Sequence, residues 1–575
     1  MRVVLVFPPS LCLPNQIYYA LPLLASVIKS AGHCVRGIDL NLAAAHCFLS
    51  EGCADLYLRM ARETVNSHRA YGRVQEAAIV RAMLSDLEPK VLEGPAAKSV
   101  LQDPDRFYDQ PAFKRAFWTV VDALSFFYQL DPIISPHRDS FARDMVETLD
   151  RRSWTPLRDI ETELVDEVLE DDPDLVGITL AFPEQNVEAL RLAQAVRRRR
   201  PEVHISLGGP LLNIDPHKWI EGGWLFRYVD SVVIGDGDVA FPELLDALDR
   251  GRGLDRVHNL VWRDSTGRVR RNHDPPVLAD MDCLPPPDFD SIDLSKGLTP
   301  TPIFPLMLSR GCYWGKCTFC SIGWRENYRM ASEEKIRRDV ADLARRGVRY
   351  VQLQDSSVPP RGARLLAEII REQGLQMFWV GGFKFTSQLL DREYCRALGE
   401  GGCRSLLMGF ESANQDLLNA MDKGFELRHV PAMLRNLRDF GVSAELLWFV
   451  GFPGETRSDV LETVRFLYEH RESFGLTAFV GDYQLHPDTI VYDDPARFGL
   501  TVVGQDNGYC HYVSARGLQQ QDLRLLRQVL SCHNNRTLVC NGSHLPHLAE
   551  HPLDLKGLER PATIPEEVVK FAAVD

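Results

Sequence analysis

The sequence lacks any apolar run long enough to cross a bilayer, which takes about 20 residues, although 45% of its 575 residues are hydrophobic. The apolar stretch at residues 3–7 is too short for the core of a signal peptide and runs into Pro8 and Pro9, so it predicts a β-strand. We therefore expect a cytoplasmic protein without a membrane partner.

The chain is also poor in positive charge. It has 65 Lys and Arg residues against 79 Asp and Glu residues, a formal net charge of -14. The dense basic run at residues 197–200 closes a predicted helix before Pro201, where cations favour the helix dipole. This balance argues against a broad nucleic-acid-binding surface, so we expect no nucleic-acid partner.

A disulfide framework is not indicated, because the 13 cysteines are odd in number and scattered through a long chain. Three of them nevertheless lie close together, Cys312, Cys317 and Cys320, directly after an apolar run at residues 303–308. Three thiolates predict a metal centre. A [4Fe-4S] cluster usually takes four Cys ligands, so a triplet indicates one iron open to another ligand. A zinc site lacking its fourth ligand and three unliganded core thiols are the alternatives.

Strands and helices are predicted to alternate over about residues 1–250, which is typical of a doubly wound α/β sheet. The predicted strands are 3–7, 35–38, 175–180, 204–207 and 231–234, with helices at 21–30 and 187–199. Ligands in such sheets bind beyond the carboxyl ends of the strands. The residues at those ends are Pro8, Pro9, Thr179, Gly208, Gly209, Pro210, Gly235, Asp236 and Gly237. Each turn alone is equally consistent with a tight connection, but four at one edge favour a ligand site.

Six further strand and helix units follow at residues 301–500, which predict a partial parallel barrel rather than the closed eight-stranded form. The predicted strands are 305–309, 349–354, 377–384, 404–411, 444–450 and 478–484. The predicted helices are 333–346, 362–372, 391–398, 428–440 and 457–470. Active sites in such barrels lie at the carboxyl ends of the strands. The polar and turn residues at those ends include Asp355, Ser356, Lys384, Glu411, Ser412, Gly451 and Pro453.

The cysteine segment resembles the cluster loop of the radical S-adenosylmethionine (SAM) superfamily. The usual spacing there is C-x3-C-x2-C, whereas this chain has C-x4-C-x2-C with Gly315 as the apparent extra residue. A glycine can absorb such an insertion as a loop bulge, so the departure bears on the subfamily more than on the cluster. The resemblance implies a [4Fe-4S] cluster on Cys312, Cys317 and Cys320, with SAM chelating the fourth iron.

The same resemblance implies a set of SAM contacts. Phe319 matches the aromatic residue that packs beside the adenine, and Glu411 and Ser412 fall in a segment like the fourth-strand segment near the ribose. Gly451 and Pro453 belong to a segment like the fifth-strand turn near the adenine.

Two further SAM contacts are implied at the ends of the second and third strands. Asp355 and Ser356 lie near the usual second-strand site for the SAM amino group, and Lys384 stands where the family often has a residue reaching SAM. For Lys384 and Glu411 the alternative is a solvated residue at the rim of the barrel.

The N-terminal turns, with Leu21-Pro22 and the helix end at Ala31-Gly32-His33, are similar to the cobalamin-binding domain that precedes the radical SAM barrel in one large subfamily. The similarity continues through a predicted hairpin at residues 257–271 and the Pro-rich linker at residues 284–289. The resemblance implies that the nine turn residues at the strand ends bind cobalamin. An Asp-x-His-x-x-Gly motif is missing after the first strand, so no histidine is supplied as a lower axial ligand.

We therefore expect four regions. Residues 1–250 form a Rossmann-like cobalamin-binding domain with a helical insertion at about 42–171, and residues 251–300 form a hairpin and linker. Residues 301–500 form a partial (β/α)6 TIM-type radical SAM barrel. Residues 501–575 form a small C-terminal region of unknown role.

The resemblance implies an oxygen-sensitive, cobalamin-dependent radical SAM enzyme, a methyltransferase at an unactivated carbon of a natural product or peptide. A 5'-deoxyadenosyl radical would abstract a substrate hydrogen, and methylcobalamin would supply the methyl group. The substrate would be a small molecule or a peptide, and a flavodoxin or ferredoxin would supply electrons. Two alternatives stay open, namely a cobalamin-associated oxidation, cyclisation or rearrangement without methyl transfer, and a non-catalytic cobalamin or metal sensor.

Overall fold

The computed structural model describes residues 1–10, 17–70, 74–134, 160–182, 185–214, 216–273, 277, 279–321, 327–506, 509–519, 522–523 and 526. Part of the predicted helical insertion and most of the predicted C-terminal region lie outside these residues. The chain divides into two compact units, Met1–Pro302 and Ile303–Asp575. Within the described part of the chain, no helix combines the length and apolar character that a bilayer span requires.

The first unit is built on a sheet of seven strands, in the order β2-β1-β3-β4-β5-β6-β7. The strands are β1 Arg2–Phe7, β2 Cys34–Asp39, β3 Leu175–Thr179, β4 His204–Gly208, β5 Ser231–Val233, β6 Leu260–Arg263 and β7 Val269–Arg271. The first five pair in parallel, and the last two continue the sheet as an antiparallel hairpin. The order 2-1-3-4-5 is that of flavodoxin-like folds, which confirms the predicted α/β sheet.

Helices cover this sheet and form the insertion. They are α1 Ala20–Ser30, α2 Leu40–Phe48, α3 Glu51–Ala70, α4 Val74–Gln102, α5 Pro104–Phe107, α6 Gln110–Ile134, α7 Glu161–Leu169, α8 Gln185–Arg199, α9 Pro210–Ile214, α10 Pro216–Ile220 and α11 Gly237–Asp249. The strands β1 and β3 are continuous apolar runs because a parallel sheet is buried on both faces. Val3, Leu5 and Phe7 pack with apolar residues of α1 and α11 in one core.

The second unit contains the predicted partial barrel. Its strands are β8 Phe304–Leu306, β9 Ser309–Arg310, β10 Arg329–Met330, β11 Tyr350–Leu353, β12 Phe378–Phe383, β13 Cys403–Glu411, β14 Ser443–Val450, β15 Leu476–Asp482, β16 Leu500–Asp506 and β17 Tyr509–Ser514. Six of them form one parallel sheet in the order β15-β14-β13-β12-β11-β8. Six strands in this order confirm a partial rather than a closed barrel.

The barrel helices alternate with the strands along the chain, and the hairpin of β16 and β17 comes after them. The helices are α12 Glu333–Arg345, α13 Pro360–Glu372, α14 Arg392–Glu400, α15 Gln415–Ala420, α16 Val430–Asp439, α17 Arg457–Glu469 and α18 Ile490–Asp493. In α12, Ile336, Val340 and Leu343 are buried at helical spacing, and the Ser332 side chain caps the helix.

The predicted strand at residues 305–309 is in fact two strands. β8 ends at Leu306, and β9 instead pairs antiparallel with β10. The chain turns there because the Asp355 carboxylate accepts hydrogen bonds from the Leu308 backbone N–H, at 3.1 Å, and from the Ser309 hydroxyl, at 2.6 Å.

Candidate functional site

The loop that carries the three cysteines begins and ends in the short ladder of β9 and β10. Arg310 pairs with Arg329 and Ser309 pairs with Met330, so both ends of the loop are fixed together. Gly311 and Gly315 have φ values of 74° and 59°, in the left-handed region that glycine adopts without strain. Gly315 is therefore well suited to the longer spacer between Cys312 and Cys317.

The three thiols of this loop are partly exposed. Burial raises the pKa of Cys317 to about 11, while the ammonium groups of Lys423 and Lys384 act in the opposite direction. A bound metal deprotonates a coordinating thiol outright, so this raised pKa is compatible with ligation. Three accessible thiols on one glycine-containing loop fit the ligand set of an iron-sulfur cluster with one open iron.

Among the residues that the structure describes, no three His, Cys, Asp or Glu side chains are grouped so as to hold a single metal ion. A zinc ion would require its thiolates to converge on one point. A [4Fe-4S] cluster places each thiolate on a different iron, so its ligands stand farther apart.

Asp355 supports the cysteine loop through its two bonds to Leu308 and Ser309. The carboxylate is buried, and this burial raises its pKa to about 6 against the opposing hydrogen bonds. Both of its oxygen atoms face the residues just before the loop, while the neighbouring Ser356 is exposed. The assignment of Asp355 and Ser356 to the SAM amino group stays a prediction.

Phe319 extends the loop towards the fifth barrel strand. Its ring centroid lies 5.2 Å from that of Phe449 and 6.3 Å from that of Phe452. It packs against a cluster that also includes Leu500 and Cys510 of the C-terminal hairpin. The predicted adenine-side aromatic and the predicted fifth-strand turn, which includes Gly451 and Pro453, therefore lie side by side, and the sequence did not indicate the hairpin's share in this surface.

The end of β13 carries a buried ion pair. Glu411 has a φ of 65°, an uncommon conformation for a residue other than glycine, and its Oε1 lies 2.8 Å from the Nζ of Lys423. Burial alone would lower the pKa of Lys423, but the Glu411 carboxylate and the nearby thiols of Cys317 and Cys320 together raise it. An uncommon backbone conformation together with a buried ion pair is typical of a functional site rather than of a solvated rim residue.

Two more predicted residues flank this pair. Lys384 is buried, and its Nζ donates to the Lys423 carbonyl oxygen. Burial and then the Lys423 charge lower the pKa of Lys384 to about 8. Ser412 is fully buried beside Thr463, with 3.4 Å between the two hydroxyl oxygens, so its hydroxyl is engaged within the protein. Direct contacts of Lys384, Glu411 and Ser412 with SAM stay predictions.

Glu455 is a residue of the fifth-strand turn whose role the sequence did not reveal. It is buried, and its carboxylate accepts the backbone N–H of Gly451, which has a φ of 89°. The Glu455 carbonyl oxygen also accepts the Leu518 N–H at 2.8 Å. Glu455 thus holds the turn together through hydrogen bonds within the protein. Burial raises the pKa of its side chain to about 8.

We expect the stability of the protein to fall as the pH rises from about 4.5 to about 8, because the folded state keeps a proton on Glu455 that the unfolded chain releases. Glu455→Gln, which is neutral at every pH and keeps an acceptor for Gly451, should remove the part of this decline that Glu455 causes and leave the part that Asp355 causes. Urea unfolding at pH 5 and pH 9 should show the variant more stable than the wild type only at the higher pH, by on the order of 1–3 kcal/mol.

Glu469→Gln is the matched control, since it removes an exposed carboxylate from the helix that follows Glu455, α17. It should leave the pH dependence as in the wild type. An unchanged pH dependence in Glu455→Gln would mean that Glu455 is ionised in the folded protein at neutral pH.

In the first unit, the predicted cobalamin residues lie at the carboxyl ends of four strands that pair directly, β1, β3, β4 and β5. Thr179 pairs with Gly208 at this edge. Gly235 has a φ of 95° and donates its N–H to the Asn213 side chain at 2.8 Å. The edge thus brings together all nine turn residues, Pro8, Pro9, Thr179, Gly208, Gly209, Pro210, Gly235, Asp236 and Gly237.

Two adjacent glycines at this edge differ in their surroundings. A Cβ on Gly209, whose φ is 114°, would come within 2.3 Å of the Leu180 carbonyl oxygen. A Cβ on Gly208 would meet no atom closer than 4.0 Å, the distance to Val233. Gly209 is therefore required for packing, whereas Gly208 leaves open space beyond β4. At such an edge, the backbone of a residue without a side chain can lie directly against a large ligand.

Gln185 organises the same edge and was missed in the sequence. Its side chain is fully buried; it donates to the Pro8 carbonyl oxygen at 2.8 Å and accepts the N–H groups of Ala181 and Phe182. Only the folded chain brings residues 8 and 185 together, so no sequence signal could have revealed it. His33, by contrast, lies at the amino-terminal edge, 3.2 Å from the N-terminal nitrogen of Met1.

Comparisons with known proteins agree with this arrangement. The family model for the radical SAM superfamily matches residues 306–467, and the B12 binding domain model matches residues 146–245. The chain is 28% identical over 301 residues to the uncharacterized methyltransferase PH0819 of Pyrococcus horikoshii, which covers 51% of this chain and 64% of that protein. It is 24% identical over 315 residues to the anaerobic magnesium-protoporphyrin IX monomethyl ester cyclase of Rubrivivax gelatinosus, covering 51% and 54% respectively. These alignments thus span between about half and two thirds of the relatives' lengths.

Two solved structures share the fold. The cobalamin-dependent S-adenosylmethionine radical enzyme OxsB with aqua-cobalamin bound superimposes with a TM-score of 0.59 at 13% identity, covering 93% of this chain and 67% of that one. The radical S-adenosylmethionine methyltransferase TsrM from Kitasatospora setae superimposes with a TM-score of 0.54 at 16% identity, covering 90% and 83%.

Proposed function

Since this chain belongs to the radical SAM superfamily and carries an N-terminal cobalamin-binding domain, we propose that it is a methyltransferase acting at an unactivated carbon of a natural product or peptide. The observation that carries the proposal is the presence, in one chain, of a three-cysteine loop and a glycine-rich carboxyl edge of the kind that cobalamin domains use. The methyltransferase names of PH0819 and TsrM support methyl transfer as the reaction.

When bound, the cluster and SAM supply a carbon-centred radical that removes a substrate hydrogen, and cobalamin supplies the methyl group. The chain's own residues bind and position these groups. Cys312, Cys317 and Cys320 hold the cluster. The buried ion pair of Glu411 and Lys423 holds one carboxylate and one ammonium group in fixed positions at the carboxyl end of β13.

The apolar surface beside the cysteine loop has a different task. The ring of Phe319 packs against those of Phe449 and Phe452 and forms an apolar surface that keeps solvent away from this part of the site. We infer that electrons come from a reduced flavodoxin or ferredoxin and that the substrate is a small molecule or a peptide.

The test is a reaction with SAM that carries a trideuterated methyl group. Reduced, reconstituted protein should release 5'-deoxyadenosine and give a product that has gained one labelled methyl group, measured by mass spectrometry. Release of 5'-deoxyadenosine with a product that has gained no carbon would exclude methyl transfer.

A second candidate is a cobalamin-associated oxidation, cyclisation or rearrangement without methyl transfer. The similarity to the cyclase of Rubrivivax gelatinosus favours it. The same labelled reaction separates the two, because none of these reactions adds the labelled methyl group to the product. Protein that binds its cofactors but releases no 5'-deoxyadenosine with any reductant would instead be a sensor.

A further inference from the structure

Trp314 occupies the longer spacer of the cysteine loop, and its ring is held in a notch on the barrel. A Cβ built on Gly424 would come within 2.2 Å of two ring carbons of Trp314. The notch therefore exists only because residue 424 has no side chain. The Trp314 Nε1–H donates to the Asp422 carbonyl oxygen at 2.7 Å, which fixes the orientation of the indole.

In the turn that receives the indole, Asp422–Gly424, Asp422 has a φ of 52°, an uncommon conformation for a residue other than glycine. Gly424 has a φ of 66°, which glycine adopts without strain. The conformation of Asp422 persists because surrounding contacts enforce it, and such conformations concentrate at functional sites. Gly315, with its φ of 59°, follows Trp314 directly and lets the longer spacer fold back towards Cys317.

The same turn holds two buried ammonium groups. Lys423 pairs with Glu411 at 2.8 Å, and the Lys384 Nζ donates to the Lys423 carbonyl oxygen. Lys384 also lies 4.0 Å from the centroid of the Trp314 ring, within the range of a cation–π interaction. Trp314 thus contacts the turn by its edge and Lys384 by its face.

Both lysines lie against the cysteine loop. The Lys423 Nζ is 5.8 Å from the centroid of the Phe319 ring, and Phe319 directly precedes Cys320. Thr318, which directly follows Cys317, donates its N–H to the Met421 carbonyl oxygen of the same turn region at 3.0 Å. Lys316 lies 5.0 Å from the same indole ring but is exposed to solvent. Water screens an exposed charge far more than a buried one.

We propose that Trp314 is a positioning residue that latches the cysteine loop onto the Asp422–Gly424 turn and so keeps the ammonium groups of Lys384 and Lys423 beside the cluster ligands. The latch, defined as Trp314, Asp422, Gly424 and Lys384, accounts for the unusual C-x4-C spacing. Buried positive charge stabilises the reduced, more negative cluster, so the latch raises the cluster's reduction potential. This inference rests on the proposed function.

The test measures the cluster's midpoint potential by EPR-monitored redox titration of reconstituted protein, together with its iron content. Lys384→Met should make the midpoint potential more negative at unchanged iron content, because a buried charge is removed at similar side-chain volume. Lys316→Met removes a charge near the same ring but an exposed one, and should shift the potential much less.

A second pair of variants tests the notch. Gly424→Ala should expel the indole, alter the g-values of the reduced cluster and lower its potential or its iron content. Gly441→Ala is the matched control, since Gly441 has a φ of 74° and a Cβ there would meet no atom within 4 Å. It introduces the same kind of strain without displacing a side chain and should keep the wild-type spectrum. Trp314→Phe, which keeps a ring but loses the N–H donor, should fall between the two.

Wild-type potentials and g-values in Lys384→Met, Gly424→Ala and Trp314→Phe would overturn the latch while leaving the proposed function intact. Equal shifts in Lys316→Met and Lys384→Met would also overturn it, because burial would then make no difference. A wild-type protein that takes up no cluster would overturn the proposed function and the latch with it.

Discussion

The variant in which Cys312, Cys317 and Cys320 are all replaced by alanine should lose its iron and its reduced-cluster EPR signal completely. A [4Fe-4S] cluster is held to protein through thiolates, and this loop supplies three of them. Wild-type protein reconstituted without oxygen should carry about four irons per chain. Iron analysis and EPR of the dithionite-reduced protein measure the loss, and release of 5'-deoxyadenosine should stop with it.

The control replaces three cysteines of the first unit, Cys34, Cys47 and Cys283, which are exposed or partly exposed. That variant removes the same number of thiols but none from the cysteine loop, so it should keep the wild-type iron content. A reduced-cluster signal that survives in the first variant and disappears in the control would place the cluster elsewhere in the chain.

The fold could be predicted from the sequence because several of its strands are continuous apolar runs. Five of the six residues of β1 and all five of β3 are buried, and such continuous apolar runs are typical of parallel sheets covered on both faces. The prediction was wrong in detail at residues 305–309. The bend there depends on Asp355, which lies 47 residues beyond Leu308, and no local pattern encodes a contact at that separation.

The candidate site could be predicted where its residues are neighbours in sequence. Cys312, Cys317 and Cys320 stand within one loop, and the positive φ of Gly315 agrees with its interpretation as an inserted residue. Lys423, which pairs with Glu411, and Gln185, which bonds to Pro8, were not found. Their roles arise from contacts between separate strands and helices, and single lysines or glutamines carry no motif.

The structure also changes how one predicted residue should be tested. A Cβ on Gly451 would come within 2.6 Å of the Leu523 side chain, and its φ of 89° disfavours any side chain. A bulky residue there would therefore disturb packing whether or not Gly451 contacts SAM. Glu411→Gln is a cleaner probe, because it removes the charge and keeps an oxygen beside Lys423.

Gly208→Val should raise the Kd of the protein for cobalamin by on the order of ten-fold or more, which corresponds to a loss of about 1.4 kcal/mol in binding, and so lower the occupancy at limiting cobalamin. The added side chain would extend into the open space beyond β4, since its Cβ would meet no atom closer than Val233 at 4.0 Å. The fold has room for a Cβ there, whereas a corrin or nucleotide tail lying on the backbone would be displaced by the side chain. Absorption spectroscopy of reconstituted protein measures the occupancy, and the iron content should be unchanged.

Gly52→Val is the matched control in the same unit, because a Cβ on Gly52 in α3 also meets no atom within 4 Å. It should bind cobalamin as the wild type does. The missing Asp-x-His-x-x-Gly motif adds a second expectation, that EPR of the bound cobalt(II) shows no splitting from an axial nitrogen. Full occupancy in Gly208→Val would remove this edge of the sheet from the binding site. Wild-type protein that cleaves SAM yet takes up no cobalamin would eliminate the methyl-transfer mechanism, because nothing else in the proposal delivers a methyl group to a substrate radical.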